Sequence, residues 1–159
     1  MTQAIKLLIF MLVFNGLIYG VFRLVKRNNK IYMEGVDQSM EPAYPAGSTY
    51  LLSADIQQMK DVKVNEAVAY YLPRNNEKSR VGWVLAKEGQ KISGDTERYY
   101  VDGEPVKKNK FYMMHKFTEY VVPRGCVFIV PTLPHDEDSR ILGPIPVRCI
   151  LGRMPAPKE

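Results

Sequence analysis

Val36-Asp37-Gln38-Ser39-Met40-Glu41-Pro42 is the stretch on which the reading of this chain turns. Pro42, followed by Pro45 and Gly47, prevents the segment from continuing as helix or central strand, so the chain must bend just after Ser39. A serine in such a bend can hold its hydroxyl out from the backbone, a posture that suits a nucleophile. A serine before a proline-rich turn is most often just a solvated loop residue, and Ser39 draws its meaning from the segments around it.

Upstream lies an uncharged run from Leu7 to Phe22. Its 16 residues would span about 24 Å as helix, short of a hydrocarbon core of roughly 30 Å. With Lys6 and Arg23 snorkelling, the run extends from Ile5 to Val25 and reaches across. It ends in Tyr19-Gly20-Val21-Phe22-Arg23 rather than in the small residues of a cleavage site, so it reads as an uncleaved transmembrane anchor and not a secretory leader. Residues 1–30 contain five basic and no acidic side chains, which leaves residues 31–159 with 17 of each sign and no net charge. A nucleic-acid partner is therefore not expected for the globular part, and the basic cluster reads as a flank facing membrane lipid. By the positive-inside rule, the four basic residues after the run would place the globular part in the cytoplasm. The domain organisation expected is an anchor with basic flank over 1–30 and one globular domain over 31–159, since 159 residues leave room for a single core.

Downstream of Ser39 the chain is a succession of short apolar runs separated by turn residues. Lys30 to Val36, Ser48 to Leu52, Glu66 to Leu72, Val81 to Ala86, Tyr99 to Val101, Cys126 to Val130 and Ile145 to Leu151 read as strands, with Asp55 to Met59 at most one helical turn. Arg74 to Ser79 reads as a polar loop. No long helical period occurs outside the anchor, so the expected fold is mainly β, as packed sheets or a barrel.

No metal site or cofactor is expected. The two histidines, His115 and His135, and the two cysteines, Cys126 and Cys149, do not stand at ligand spacing, and no glycine-rich phosphate loop is present. Each cysteine lies in an apolar run and reads as a free thiol, with a cross-strand disulfide as the alternative in an oxidising compartment. To attack a peptide, Ser39 needs a base. A lysine can serve if burial disfavours its charged form. Lys87, directly after Trp83-Val84-Leu85-Ala86, has the apolar surroundings, and Lys78, in the polar stretch, has less of them. Asp138 and Arg140, beside Gly143, have the spacing of an ion pair that braces a loop.

Three blocks in this order resemble the type I signal peptidases, serine endopeptidases of family S26 that use a Ser-Lys dyad. Ser39-Met40 with Pro42 resembles the block that carries the nucleophile. Val84 to Ile92, followed by Tyr99-Tyr100-Val101-Asp102-Gly103-Glu104, is similar to the general-base strand and its hairpin. Val122 to Phe128, then Asp138-Ser139-Arg140 with Gly143-Pro144, resembles the closing block. The short domain and the Val84-Leu85-Ala86-Lys87 run look closest to the conjugative-transfer peptidases of the TraF type. The resemblance implies a signal-peptidase-like β-rich catalytic domain behind one N-terminal transmembrane helix. It also implies Ser39 as nucleophile with a lysine as base, for which Lys87 is the candidate by its apolar surroundings and Lys78 the alternative, and Met40, Asp136, Asp138 and Arg140 as binding or bracing residues. The expected substrate is an exported or membrane protein, a signal peptide or pilin precursor, cleaved at the outer face of the inner membrane. That places the catalytic domain in the periplasm, opposite to the charge count. An ungapped match sets the family's lysine and following arginine on Gly82 and Trp83. Reading Ser79-Arg80-Val81 as the Lys-Arg-Val start puts serine in place of lysine, and Asp136 stands where the family has a lysine-orienting serine. The alternative expectation is therefore an inactive signal-peptidase-like subunit that binds or assembles within a secretion complex.

Overall fold

The computed structural model describes residues 10–21, 30–33, 35–56, 59–72, 75–95, 97–106, 117–133 and 138–157. The chain divides into two units, Met1–Lys30 and Ile31–Glu159. In the first, residues 10–21 form helix α1. Its apolar side chains are exposed, Phe10, Leu12 and Leu17 each by more than 60%. Among the described residues no helix is long and apolar enough to cross a membrane. The rest of the expected Ile5 to Val25 span lies outside the described residues.

The second unit is built from eleven described strands: β1 (Lys30–Met33), β2 (Tyr50–Ser53), β3 (Ala67–Leu72), β4 (Asn75–Lys87), β5 (Lys91–Gly94), β6 (Tyr99–Val101), β7 (Glu104–Pro105), β8 (Phe117–Val121), β9 (Cys126–Val130), β10 (Ile145–Pro146) and β11 (Ile150–Arg153). One four-residue helix, α2 (Ser139–Leu142), interrupts them. The strands form two sheets, one in the order β1-β2-β11-β3-β4-β9-β10 and one in the order β7-β6-β5-β8. The fold is thus mainly β, as packed sheets.

At the centre of the larger sheet, β4 lies between β3 and β9. Its residues alternate between two apolar clusters, because successive side chains of a strand point to opposite faces. Val81, Trp83 and Leu85 join Met40, Tyr44 and Phe128 on one face. Val84 joins Val68, Tyr70 and Ile129 on the other. Burying each large side chain in this way contributes about 1.5–3 kcal/mol, which makes this three-strand centre the frame for everything attached to it.

β4 begins six residues earlier than its apolar run predicts. Arg74 to Ser79 reads as a loop because it is polar, yet Asn75 pairs with Leu72 and Ser79 with Tyr71. Backbone pairing to an apolar strand extends the hairpin irrespective of side-chain polarity. The last expected strand is also two: β10 and β11 are separated by a 3₁₀ turn at Val147–Cys149, where Pro146 ends the ladder. Cys126 and Cys149 are both free thiols.

β4 is irregular twice, in its pairing with β3 between Asn75 and Ser79 and in its pairing with β9. Its pairing with β9 runs Trp83 to Val130 and Val84 to Ile129, then shifts, so that Ala86 faces Phe128 and Lys87 faces Val127. Leu85 is the extra residue of a bulge. Leu85 and Ala86 consequently share one cluster, and the alternation beyond them is reversed.

Candidate active site

Ser39 sits in the middle of a single 3₁₀ turn, Gln38–Met40. Asp37, with extended backbone, caps the turn by accepting a hydrogen bond from the Ser39 N–H at 2.9 Å. On the other side, the Ser39 carbonyl accepts the N–H of Leu133, 2.7 Å away, just past the end of β9. The Gly47 N–H closes the surrounding loop on Val36 O at 2.9 Å, with Gly47 at φ +74°, where a side chain would be strained. Met40 is fully buried in the core, and Ser39 itself is 6% exposed. Both residues are therefore fixed by the frame below them.

Asp37 is also the point where the turn meets β4. A guanidinium nitrogen of Arg80 lies 3.6 Å from the carboxylate oxygen that the Ser39 N–H does not use. Ser79 precedes Arg80, and its backbone partner Tyr71 and the next pair, Arg80 with Tyr70, fix the register. Alternation from Val81 places Ser79 on the face that packs Met40. Lys78 lies in β4 two positions before Arg80.

The structure does not bring Lys87 to Ser39. With Leu85 bulged out of the ladder, six strand positions separate Lys87 from Arg80, about 20 Å at roughly 3.3 Å per residue. Along β9, Val127 opposite Lys87 and Leu133 beside Ser39 are likewise six residues apart. The Lys87 ammonium donates to Val62 O at 3.3 Å, at the opposite end of the strand from Asp37. The bulge at Leu85 does place Lys87 on the face of Gly82 and Val84, but distance along the strand outweighs the face. Gly82 is no position for a base either. A Cβ there would come 2.5 Å from Ile129 Cγ2 and 3.3 Å from the Val130 backbone.

Asp138 and Arg140 form a tight unit. Asp138 caps α2 by accepting the Arg140 N–H at 2.8 Å, and the Arg140 Nε lies 3.0 Å from each carboxylate oxygen. Both side chains are nearly inaccessible. Burial alone would lower the guanidinium pKa, but the Asp138 carboxylate more than offsets it and Arg140 ends above its ordinary value. Arg140 also donates to the Tyr99 hydroxyl at 3.2 Å, so the pair joins α2 to β6. Burial raises the Tyr99 pKa, with Arg140 opposing. The Ser139 hydroxyl accepts the Ile129 N–H at 2.8 Å and holds α2 against β9. This unit braces the closing loop and makes no described bond to Ser39. Asp136 lies outside the described residues.

Beside the Ser39 turn is a cleft of about 400 Å³, lined by Pro42, Ala43, Tyr44, Pro45, Tyr50 and Pro157 among others. The Tyr44 hydroxyl donates to Pro155 O at 2.7 Å. Burial, with Tyr50 beside it, pushes the Tyr44 hydroxyl up to about 12. Among the described residues no group of three His, Cys, Asp or Glu side chains is placed to hold a metal ion. The sequence pattern assigned no role to Asp37 or Arg80. The Asp-x-Ser spacing, which lets a side chain cap the N–H two residues on, was the available signal for Asp37.

A family model described as signal peptidase, peptidase S26, matches residues 2–157 of the chain. Among solved structures, a signal peptidase I from Enterococcus faecalis V583 is similar with a TM-score of 0.50 and 16% sequence identity. That match covers 64% of this chain and 100% of the other, and at such identity it speaks for the fold alone. No curated protein matches the chain.

Proposed function

The chain belongs to the signal peptidase family, peptidase S26, and from that premise we propose that it is a membrane-anchored serine endopeptidase that cleaves exported protein precursors. The observation that carries this reading is the Ser39 turn, buried, held by Asp37 and Leu133 and set against β4 at Arg80. Ser39 Oγ attacks the scissile carbonyl and a lysine takes its proton. The tetrahedral intermediate then expels the amine of the downstream segment, and water releases the acyl group from Ser39. We assign the base to Lys78, because it lies in β4 two positions from Arg80, which meets Asp37, whereas the Lys87 amine is held on Val62 O. The short domain and the Val84 to Lys87 run support a TraF-type enzyme acting on pilin or another substrate of a conjugative transfer system. Site of action in that group supports a periplasmic catalytic domain on the inner membrane.

The test is cleavage of a precursor by three single variants of the full chain. Loss in Ser39→Ala and in Lys78→Met, with activity kept in Lys87→Met, is the expected pattern. Loss in Lys87→Met alone returns the base to Lys87.

A second reading is favoured by Ser79, which stands before Arg80 where the family resemblance places the base and shares the face of Met40. In that reading the chain is an inactive subunit that binds exported precursors or assembles with a secretion complex. No cleavage by the well-folded parent chain supports it, as does processing in cells that persists when Ser39→Ala replaces the parent chain.

A further inference from the structure

The Ser39 N–H is the natural donor for the oxyanion that forms when Ser39 Oγ adds to a carbonyl, since it lies on the same residue as the nucleophile. In this structure that N–H is already engaged. Asp37 Oδ1 accepts it at 2.9 Å, so a negative charge occupies the place where a second negative charge has to develop. The other carboxylate oxygen faces Arg80 Nη1 at 3.6 Å, within ion-pair reach but longer than a good hydrogen bond. Asp37 thus stands between two donors and sits closer to the Ser39 N–H than to the guanidinium.

We propose that Asp37 is a positioning residue that gates the Ser39 N–H: its carboxylate caps the turn at rest and transfers to Arg80 when substrate binds, which frees the N–H for the oxyanion. This rests on the peptidase reading and deepens it. The geometry supplies both end points. Asp37 is at the surface side of the turn, its side chain about one-third exposed, while Arg80 is 17% exposed and fixed in β4. The carboxylate is the partner that has room to move. A purely structural cap would not need a charge, because Asn caps a turn as well as Asp. It would not need a guanidinium opposite it either.

The experiment uses the full chain in detergent and N-acetyl-alanine boronic acid as probe. Boron accepts the Ser39 oxygen to form a tetrahedral, negatively charged boronate, and the hydroxyl proton leaves to the base and solvent. The Ser39 adduct is measured by mass spectrometry of the intact protein as a function of probe concentration. Without the carboxylate charge the amide oxygen is a weaker competitor for the Ser39 N–H and no longer repels the boronate, so adduct formation in Asp37→Asn is expected to strengthen by about tenfold or more. Asp37→Ser, which keeps an oxygen acceptor without the charge, should do the same. Arg80→Gln removes the cation that draws the carboxylate away and should weaken it by about tenfold. The double variant should behave like Asp37→Asn, because Arg80 has no gating task once the charge is gone. A structural role predicts losses in both single variants, and that outcome, or an unchanged adduct in Asp37→Asn, overturns the gate. If those adducts are nevertheless lost in Ser39→Ala, the peptidase reading stands. Absence of any Ser39-dependent adduct in all variants overturns both.

Discussion

Ser39 is held by contacts of its backbone, so its hydroxyl can be removed with little structural consequence. Ser39→Ala should abolish precursor cleavage while changing stability by no more than about 0.5 kcal/mol, measured by chemical denaturation. Asp138 is the contrasting case. Removing its carboxylate strands the buried Arg140 guanidinium and uncaps α2 at once, so Asp138→Ala should cost about 3–5 kcal/mol, and Asp138→Asn less because the cap survives. Gly82→Ala should cost about 1–3 kcal/mol, since Ile129 is branched where the new methyl would meet it and the Val130 backbone cannot retreat. These roles were unequally legible. Asp138 and Arg140 declared themselves by spacing. Asp37 did not, because its importance lies in which N–H its carboxylate accepts and in Arg80, 43 residues away in sequence, being brought alongside.

Among the elements, β4 shows best what a sequence pattern can and cannot convey. The apolar alternation from Val81 to Ala86 announced a strand, but its polar first half is strand only through pairing with β3. The bulge at Leu85 was equally silent, because nothing in Val84-Leu85-Ala86 distinguishes a regular strand from one with an extra residue. The bulge acts as a phase shift. Gly82 and Val84 before the bulge and Lys87 after it share a face, so a side chain grafted onto this part of β4 has to be chosen by which side of Leu85 it falls on. Ser79→Lys falls before it, on the Met40 face. If the parent chain lacks a base, this substitution should create measurable cleavage of a precursor that depends on Ser39, and no gain would remove position 79 as the base site. The turn after Ser39 carries its own titration. The Tyr44 hydroxyl is raised in the folded state to about 12 from an ordinary 10, so its contribution is full below pH 10 and is lost as pH rises from 10 towards 12. Thermal unfolding followed over that window should fall more steeply for the parent chain than for Tyr44→Phe.

At the scale of the whole molecule, both apolar clusters lie within residues 33–154, so a chain lacking residues 1–29 should still fold into the β domain, as judged by circular dichroism and a cooperative unfolding transition. The proposed periplasmic placement predicts that alkaline phosphatase fused after Glu159 is active and that a cytoplasmic reporter fused there is not. The reverse result would give the basic flank the decision over orientation. The β class was legible because short apolar runs and turn residues suffice to signal it. The sheet order was not, since it joins β11 to β2 and β3 from opposite ends of the chain. The same long-range closure governs when the protein becomes competent. Ser39 leans on Leu133, and Tyr44 in the same loop leans on Pro155. A ribosome therefore completes the support of the Ser39 turn only once Leu133 and Pro155 have been made. During synthesis Ser39 is thus present for roughly a hundred residues without its final scaffold.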